Sequence, residues 1–358
     1  LATGERASRQ AFVPVWCALC RARLALASVL TTLLLACVVG ALPVATAQAA
    51  SLLFVATGNV PPGKFRQLQA LAQPHGLTLA VKYVNQLPAE VSGSVFKGHD
   101  MVLFDTYQVD DVRARLAKAL PELNVPHVWL YDAKPAWAGV PDALAKRLVA
   151  YYNSGGQANF NGFFATLAAH RAGKPWVDLP APMVFPKTGV YHPKAPRLVF
   201  DDVAQYMAWH AAQGKGRHAV ANGVTPGGPG GASGPPVVAV ALHQQYIASM
   251  QTAFVDDLIA RIEQAGAVAL PFYTPMMEPG ALLRVLAPQA KPLADALINT
   301  QIVLNPEMRR AEFAQLGLPV VQAMPYRKGD EAAWRADPQG VPLIDVPFYL
   351  AQGEYAGI

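Results

Sequence analysis

Cysteine is nearly missing from this 358-residue chain, and the three present, Cys17, Cys20 and Cys37, all fall close to the start. Beyond Cys37 the sequence therefore offers no disulfide, no cysteine nucleophile and no thiolate zinc site. Cys17-x-x-Cys20 has redox or metal spacing, but no partner cysteines surround it. Charge is scarce as well, at 15% of residues against 53% hydrophobic. Arg6, Arg9, Arg21, Arg23 and Glu5 precede position 50, which leaves 25 basic and 23 acidic residues after it. No basic run or aromatic-interleaved basic stripe occurs, so the chain lacks the electrostatic footprint of a nucleic-acid binder.

Familiar catalytic signatures are also lacking. There is no Gly-x-Ser-x-Gly elbow, no His-Glu-x-x-His helix and no Gly-x-Gly-x-x-Gly after the first apolar run. The eight histidines are scattered, and no two stand at the i, i+4 spacing of a helical metal site. Gly214 to Pro236 is rich in Gly and Pro but lacks the Gly-Lys-Ser/Thr ending that would hold phosphates. It reads as a linker or surface loop.

What is present starts with a leader-like order. Arg21 and Arg23 precede the uncharged run Leu24 to Leu42, and Ala45-Thr46-Ala47-Gln48-Ala49 supplies small residues at signal-peptidase spacing. This predicts a secretory leader and a periplasmic location. A membrane-spanning helix and a lipoprotein box at Leu34-Leu35-Ala36-Cys37 are the rival readings, and cytoplasmic placement follows if the true start lies elsewhere. The chain begins with Leu1 and has no Met before Met101.

Two stretches then alternate strand and helix patterns. In the first, Leu52 to Ala56, Leu77 to Val84, Met101 to Asp105 and His127 to Leu130 read as strands. Helical spacing falls between them, at Gly63 to Ala72 and Gln108 to Leu120. In the second, Val237 to Leu242, Val268 to Phe272, Ala294 to Leu304 and Leu318 to Met324 read as strands, with a long helix over Ser249 to Ala265. Such alternation implies right-handed crossovers and parallel sheets. The expected fold class is α/β, with two Rossmann-like parallel-sheet units joined by a helical and Pro/Gly-rich connecting region. The expected divisions are 1–49 as signal peptide or anchor, 50–135 as the first unit, 136–236 as the connecting region and 237–358 as the second unit. Within the connecting region, Gly189-Val190-Tyr191-His192-Pro193-Lys194-Ala195-Pro196 reads as a rigid connector, because each proline lacks a donor and extends its predecessor. Tyr191 and His192 in it read as structural residues. Asp201 and Asp202 are placed to cap the helix that follows and to complement the positive end of its dipole.

Ligands of open parallel sheets bind beyond the carboxyl ends of the strands. In the second unit those ends carry His243, Gln244 and Tyr246, then Tyr273 and Thr274, then Asn299 and Thr300, and finally Gln322 and Tyr326. This polar, uncharged and partly aromatic set suits a large flat ligand with peripheral carboxylates or amides. His243, Tyr246, Tyr273, Asn299 and Gln322 are the candidate substrate-binding residues, with His243 the candidate metal ligand. Capping of strand ends is the plainer reading of each.

The octapeptide at 189–196, with Tyr206-Met207-Ala208-Trp209 after it, resembles the large chelatase subunits: the CobN-type cobaltochelatase subunit and the magnesium chelatase H subunit. Gly155-Gly156-x-x-Asn159-Phe160, Gly266-Ala267-x-Ala269-Leu270-Pro271-x-Tyr273 and Leu318-Pro319-Val320-Val321-Gln322-Ala323 extend the likeness. So does Glu354-x-x-Gly357-Ile358, although Gly353 stands where the family has proline. The resemblance runs from about Leu52 to Ile358 and implies only the N-terminal part of a longer subunit. It also implies a tetrapyrrole substrate, either a corrin precursor or a porphyrin. Cobalt, ahead of magnesium, would be the substrate metal, and AAA+ ATPase partner subunits would supply ATP, with no cofactor held tightly by this chain. Metal insertion needs a base and a metal-delivery ligand, and Glu354 and His243 are the candidates. A secretory leader conflicts with an ATP-driven motor, so an exported corrinoid-binding or small-ligand-binding homologue is the alternative.

Overall fold

The computed structural model describes residues 49–131, 136–213, 234–326, 329–341, 343 and 345–358. The leader-like stretch and residues 214–233 of the glycine-rich segment lie outside them. Among the described residues no helix is long and apolar enough to cross a membrane.

The first sheet is built from β1 (Ala50–Ala56), β2 (Leu77–Tyr83), β3 (Met101–Asp105), β4 (His127–Trp129) and β5 (Ala136–Ala138), in the order β2-β1-β3-β4-β5. All its pairings are parallel except that of β5, which runs antiparallel to β4. Successive residues of a strand face opposite sides, and here both sides are covered. Leu52, Phe54, Met101 and Leu103 pack into one apolar cluster, and Leu53, Val55, Val102 and Phe104 into another. That explains why β1 and β3 are continuous apolar runs rather than alternating ones. The first cluster is closed by α1 (Pro62–Ala72), and the second by α2 (Val109–Arg115). Two further helices, α3 (Asp142–Ser154) and α4 (Gln157–Arg171), complete the first cluster with Leu144, Leu148, Tyr151, Phe160 and Phe163.

The second sheet contains β6 (Gly189–Tyr191), β7 (Val199–Phe200), β8 (Val237–Ala241), β9 (Val268–Tyr273), β10 (Ala296–Asn299) and β11 (Val320–Gln322), in the order β11-β10-β8-β9-β6-β7. Its four central and edge strands β8 to β11 pair in parallel, while β6 runs antiparallel to both β9 and β7. The helices of this half are α5 (Val203–Ala212), α6 (Gln244–Ala248), α7 (Ala253–Gln264), α8 (Ala281–Leu286), α9 (Pro306–Leu316), α10 (Glu331–Ala336) and α11 (Gln352–Tyr355). A π-helical turn, Val346–Ala351, leads into α11. Local chemistry sets several boundaries. Asp202 caps α5 by accepting from the Ala204 and Gln205 amides, and Asn305 caps α9 at the Met308 amide. Gly317, with φ of 62°, ends α9 in the left-handed conformation.

Three expectations need correction. The octapeptide at 189–196 is not a connector: Gly189, Val190 and Tyr191 are buried as β6, inside the sheet. Both prolines fall after the strand, in its turn towards β7, so neither removes a donor from the ladder. Gly189 is required where β6 crosses its neighbours, since a Cβ there would lie 2.5 Å from Val199 Cγ1 and 2.8 Å from the Tyr273 hydroxyl. The connecting region expected over 136–236 is not a separate body in its described parts. Residues 136–171 complete the first sheet and its core, whereas β6, β7 and α5 belong to the second. The long helix expected from Ser249 starts only at Ala253, because Met250 takes φ of 57° between α6 and α7.

Candidate functional site

Each sheet has one topological switch point, where successive crossovers leave in opposite directions and open a crevice at the strand carboxyl ends. In the second sheet β9 lies on one side of β8 and β10 on the other, so the crevice is between β8 and β10. In the first sheet it is between β1 and β3.

Hydrogen bonds within the chain stitch the second crevice together. The Thr300 hydroxyl donates to Ala241 O at 2.8 Å, and Gln301 Nε2 donates to Leu242 O at 2.7 Å. His243 Nε2 accepts the Ile302 amide at 3.1 Å. Asn299 Nδ2 donates to Gln322 Oε1 at 2.7 Å, and Gln322 Nε2 to Gln301 O at 3.1 Å. The edge of the Tyr246 ring meets His243 at 5.4 Å and Phe254 at 5.0 Å. Tyr273, fully buried, donates to Pro186 O, which also accepts from Gln244. Burial raises the Tyr273 pKa, with Asp201 adding to it. Thr274 is buried, and Tyr326 donates to Asp337 at 3.1 Å. The structure thus brings His243 with Tyr246, Asn299 with Gln322, and Tyr273 with Gln244. Glu354 is exposed on α11, without a bond to this set.

The first crevice holds functional-type residues that the strand and helix patterns did not single out. Lys64 of α1 places Nζ 2.9 Å from Asp105 Oδ2 at the end of β3, with the two side chains 3% and 1% exposed. The Tyr152 hydroxyl donates to the same oxygen at 2.7 Å, and its ring lies 4.3 Å from Nζ. Asp105 Oδ1 is buried and has no hydrogen-bond partner. Thr57, just past β1, bonds to Thr106 across the crevice at 3.3 Å. At the rim Tyr107 packs on Tyr131 with ring centroids 4.2 Å apart. Burial lowers the Lys64 pKa, opposed in part by Asp105, and it drives the Tyr152 phenol well above its usual value, with Asp105 reinforcing it. The one visible signal was Asp105 ending an apolar strand. Nothing in the helical spacing of Lys64 shows that it meets a residue 41 positions away.

The edges meet where the Gly156 amide donates to Ala248 O at 2.8 Å. Beside this bond is a cleft of ≈ 300 Å³ lined by Asn153, Ser154, Phe185, Gln244, Gln245 and Ala248, among others. Elsewhere, His192 and His210 each direct Nε2 at Glu263 Oε1, at 3.0 and 3.1 Å, and all three are largely buried. His192 Nδ1 accepts the Lys194 amide, and the Tyr191 hydroxyl donates to Asp256 at 2.7 Å. These bonds pin β6 and α5 to α7. Among the described residues no cluster of three or more His, Cys, Asp or Glu is arranged to hold a metal ion.

Comparison with known proteins adds three findings. The family model described as CobN/Magnesium Chelatase matches residues 149–358, more than half of the chain. Among solved structures, the catalytic subunit of cobaltochelatase from Mycobacterium tuberculosis is similar with a TM-score of 0.51 and 17% identity, over 86% of this chain and 24% of that one. A D-lactate dehydrogenase from Treponema pallidum aligns over 75% of this chain and 70% of its own, with 11% identity and a TM-score of only 0.22, too low to carry an argument. No curated protein matched. At 17% identity the cobaltochelatase likeness shows the fold, and this chain spans about a quarter of that subunit's length. The family match covers the whole second sheet and its carboxyl edge, and on that ground this chain belongs to the CobN/magnesium chelatase family.

Proposed function

We propose that this chain is a tetrapyrrole-binding component of a chelatase that inserts cobalt, in preference to magnesium, into a corrin or porphyrin ring. In this reading partner AAA+ subunits supply the ATP-driven step. The observation that carries it is the family match over 149–358, which includes the second sheet, α11 and every residue expected at that sheet's carboxyl edge.

Insertion exchanges two pyrrole N–H protons for one divalent metal ion. The protons need an acceptor and the metal needs a ligand that releases it. Glu354 suits the first role, as an exposed carboxylate on α11. His243 stands at the same edge as the candidate metal ligand, its ring fixed by the Ile302 amide bonded to Nε2. Asn299 and Gln322 orient each other and the 301–302 turn, which gives the edge a fixed polar surface.

The test incubates the chain with a metal-free tetrapyrrole, Co²⁺, ATP and the motor subunits, following the visible absorption bands. A saturable spectral shift on tetrapyrrole addition and a metallated spectrum with ATP are expected. Absence of any shift refutes the reading. A shift without metallation supports the narrower role of an exported binding protein, which the leader-like run Leu24 to Leu42 favours. Cell fractionation with the leader intact distinguishes these locations.

A further inference from the structure

We propose that the carboxyl edge of the first sheet is a separate ligand site, for a small uncharged planar molecule that stacks on Tyr107 and donates an N–H to Asp105 Oδ1. The residues that would meet the ligand lie at 57–131, outside the family-matched span, with only the supporting Tyr152 inside it, so the proposal does not depend on the chelatase reading. Three observations converge on this place.

The first is topology. Thr57, Asp105 and Thr106 stand at the ends of β1 and β3, at the switch point where open α/β sheets bind ligands. The corresponding crevice of the second sheet is crossed by the side chains of Thr300, Gln301 and His243, each bonded to backbone. In the first sheet the crossing side chains are the Lys64–Asp105 pair and a long hydroxyl contact between Thr57 and Thr106, and neither engages Asp105 Oδ1.

The second is an unused acceptor. Asp105 Oδ2 takes both Lys64 and Tyr152, whereas Oδ1 is buried with no partner. A buried acceptor left unpaired is costly, so such atoms have a missing donor. Lys64 already balances the carboxylate charge, which favours a neutral N–H over a second cation. The third is the rim. Tyr107 is 57% exposed and packs against the half-buried Tyr131 with the rings tilted by 30°, so an accessible aromatic ring follows two residues after Asp105. Aromatic pairs of this kind bind planar rings by offset stacking. The Tyr131 ring lies 5.8 Å from Lys64 Nζ, which sets this aromatic pair beside the Lys64–Asp105 carboxylate.

The probe pair is indole and 1-methylindole, which share a ring but differ in the N–H. Binding to the full chain is followed by NMR shifts of the tyrosine rings and of the Asp105 carboxyl carbon. Indole should bind saturably and move the Asp105 signal. 1-Methylindole should bind about ten-fold or more weakly, as expected for one hydrogen bond to a charged acceptor. Tyr107→Ala, an exposed substitution that leaves the core intact, should weaken indole binding while the Lys64–Asp105 signals stay in place. Equal binding of the two probes, no effect of Tyr107→Ala, or an Asp105 carboxyl that responds to neither probe and holds only a water molecule would each overturn the proposal.

Discussion

Replacing Lys64 with Met keeps the length of the side chain and deletes its ammonium, which leaves the buried Asp105 with the Tyr152 hydroxyl but without its counter-charge. At 2.9 Å and an effective dielectric of about 20, the lost attraction is about 6 kcal/mol. Loss of the desolvation cost of the ammonium offsets part of this, and breaking a buried pair by removing one partner leaves a net loss of about 3–5 kcal/mol. Guanidinium unfolding of both proteins at pH 7 measures the difference. A loss below about 1 kcal/mol refutes the view that this is a buried ion pair.

Further outcomes follow from other buried contacts. Glu263→Leu strands the Nε2 donors of His192 and His210 and should cost about 2–5 kcal/mol by denaturant titration, while Glu263→Gln, which keeps an acceptor, should cost clearly less. Gly155 has φ of 66°, and a Cβ there would lie 2.3 Å from Ala248 O. Gly155→Ala should therefore lose about 2 kcal/mol or more and speed amide exchange at Gly156, whose N–H bonds to that oxygen. In alkaline titration followed near 295 nm, Tyr131, Tyr152, Tyr191, Tyr206 and Tyr273, all raised chiefly by burial, should stay protonated at about pH 11. They should then ionise together when the fold is lost. Their raised pKa values contribute stability that is complete below about pH 10 and declines as pH climbs through the folded values.

Legibility in the sequence depended on whether the determining contacts were local. β1, β3, β8 and β9 are continuous apolar runs because helices cover both faces of each sheet, and such runs can be read without a structure. Caps at Asp202 and Asn305 act within three residues. β6 could not be read this way. It has three residues, it is followed by prolines, and what seats it inside the sheet is β9, some 80 residues later in the chain, which pairs with it on the side opposite β7. The helical break at Met250 is likewise imposed from outside its own segment, where α6 meets the Gly155–Gly156 turn.

The candidate sites divide along the same line. Parallel-sheet topology, and with it the placing of His243, Tyr273, Asn299 and Gln322 at strand ends, was determined by the order of apolar runs and helical spacings, since crossover handedness leaves few alternatives. The family motifs were likewise in the sequence as it stands. What only the tertiary structure decided is how the polar groups are used. It engages His243, Thr300 and Gln301 with backbone of the second crevice, and it carries Lys64 to Asp105 while leaving one carboxylate oxygen without a donor. Hydrogen-bond partners separated by 41 or 59 residues are set by how the elements pack in space, and the spacing along the chain holds no record of them.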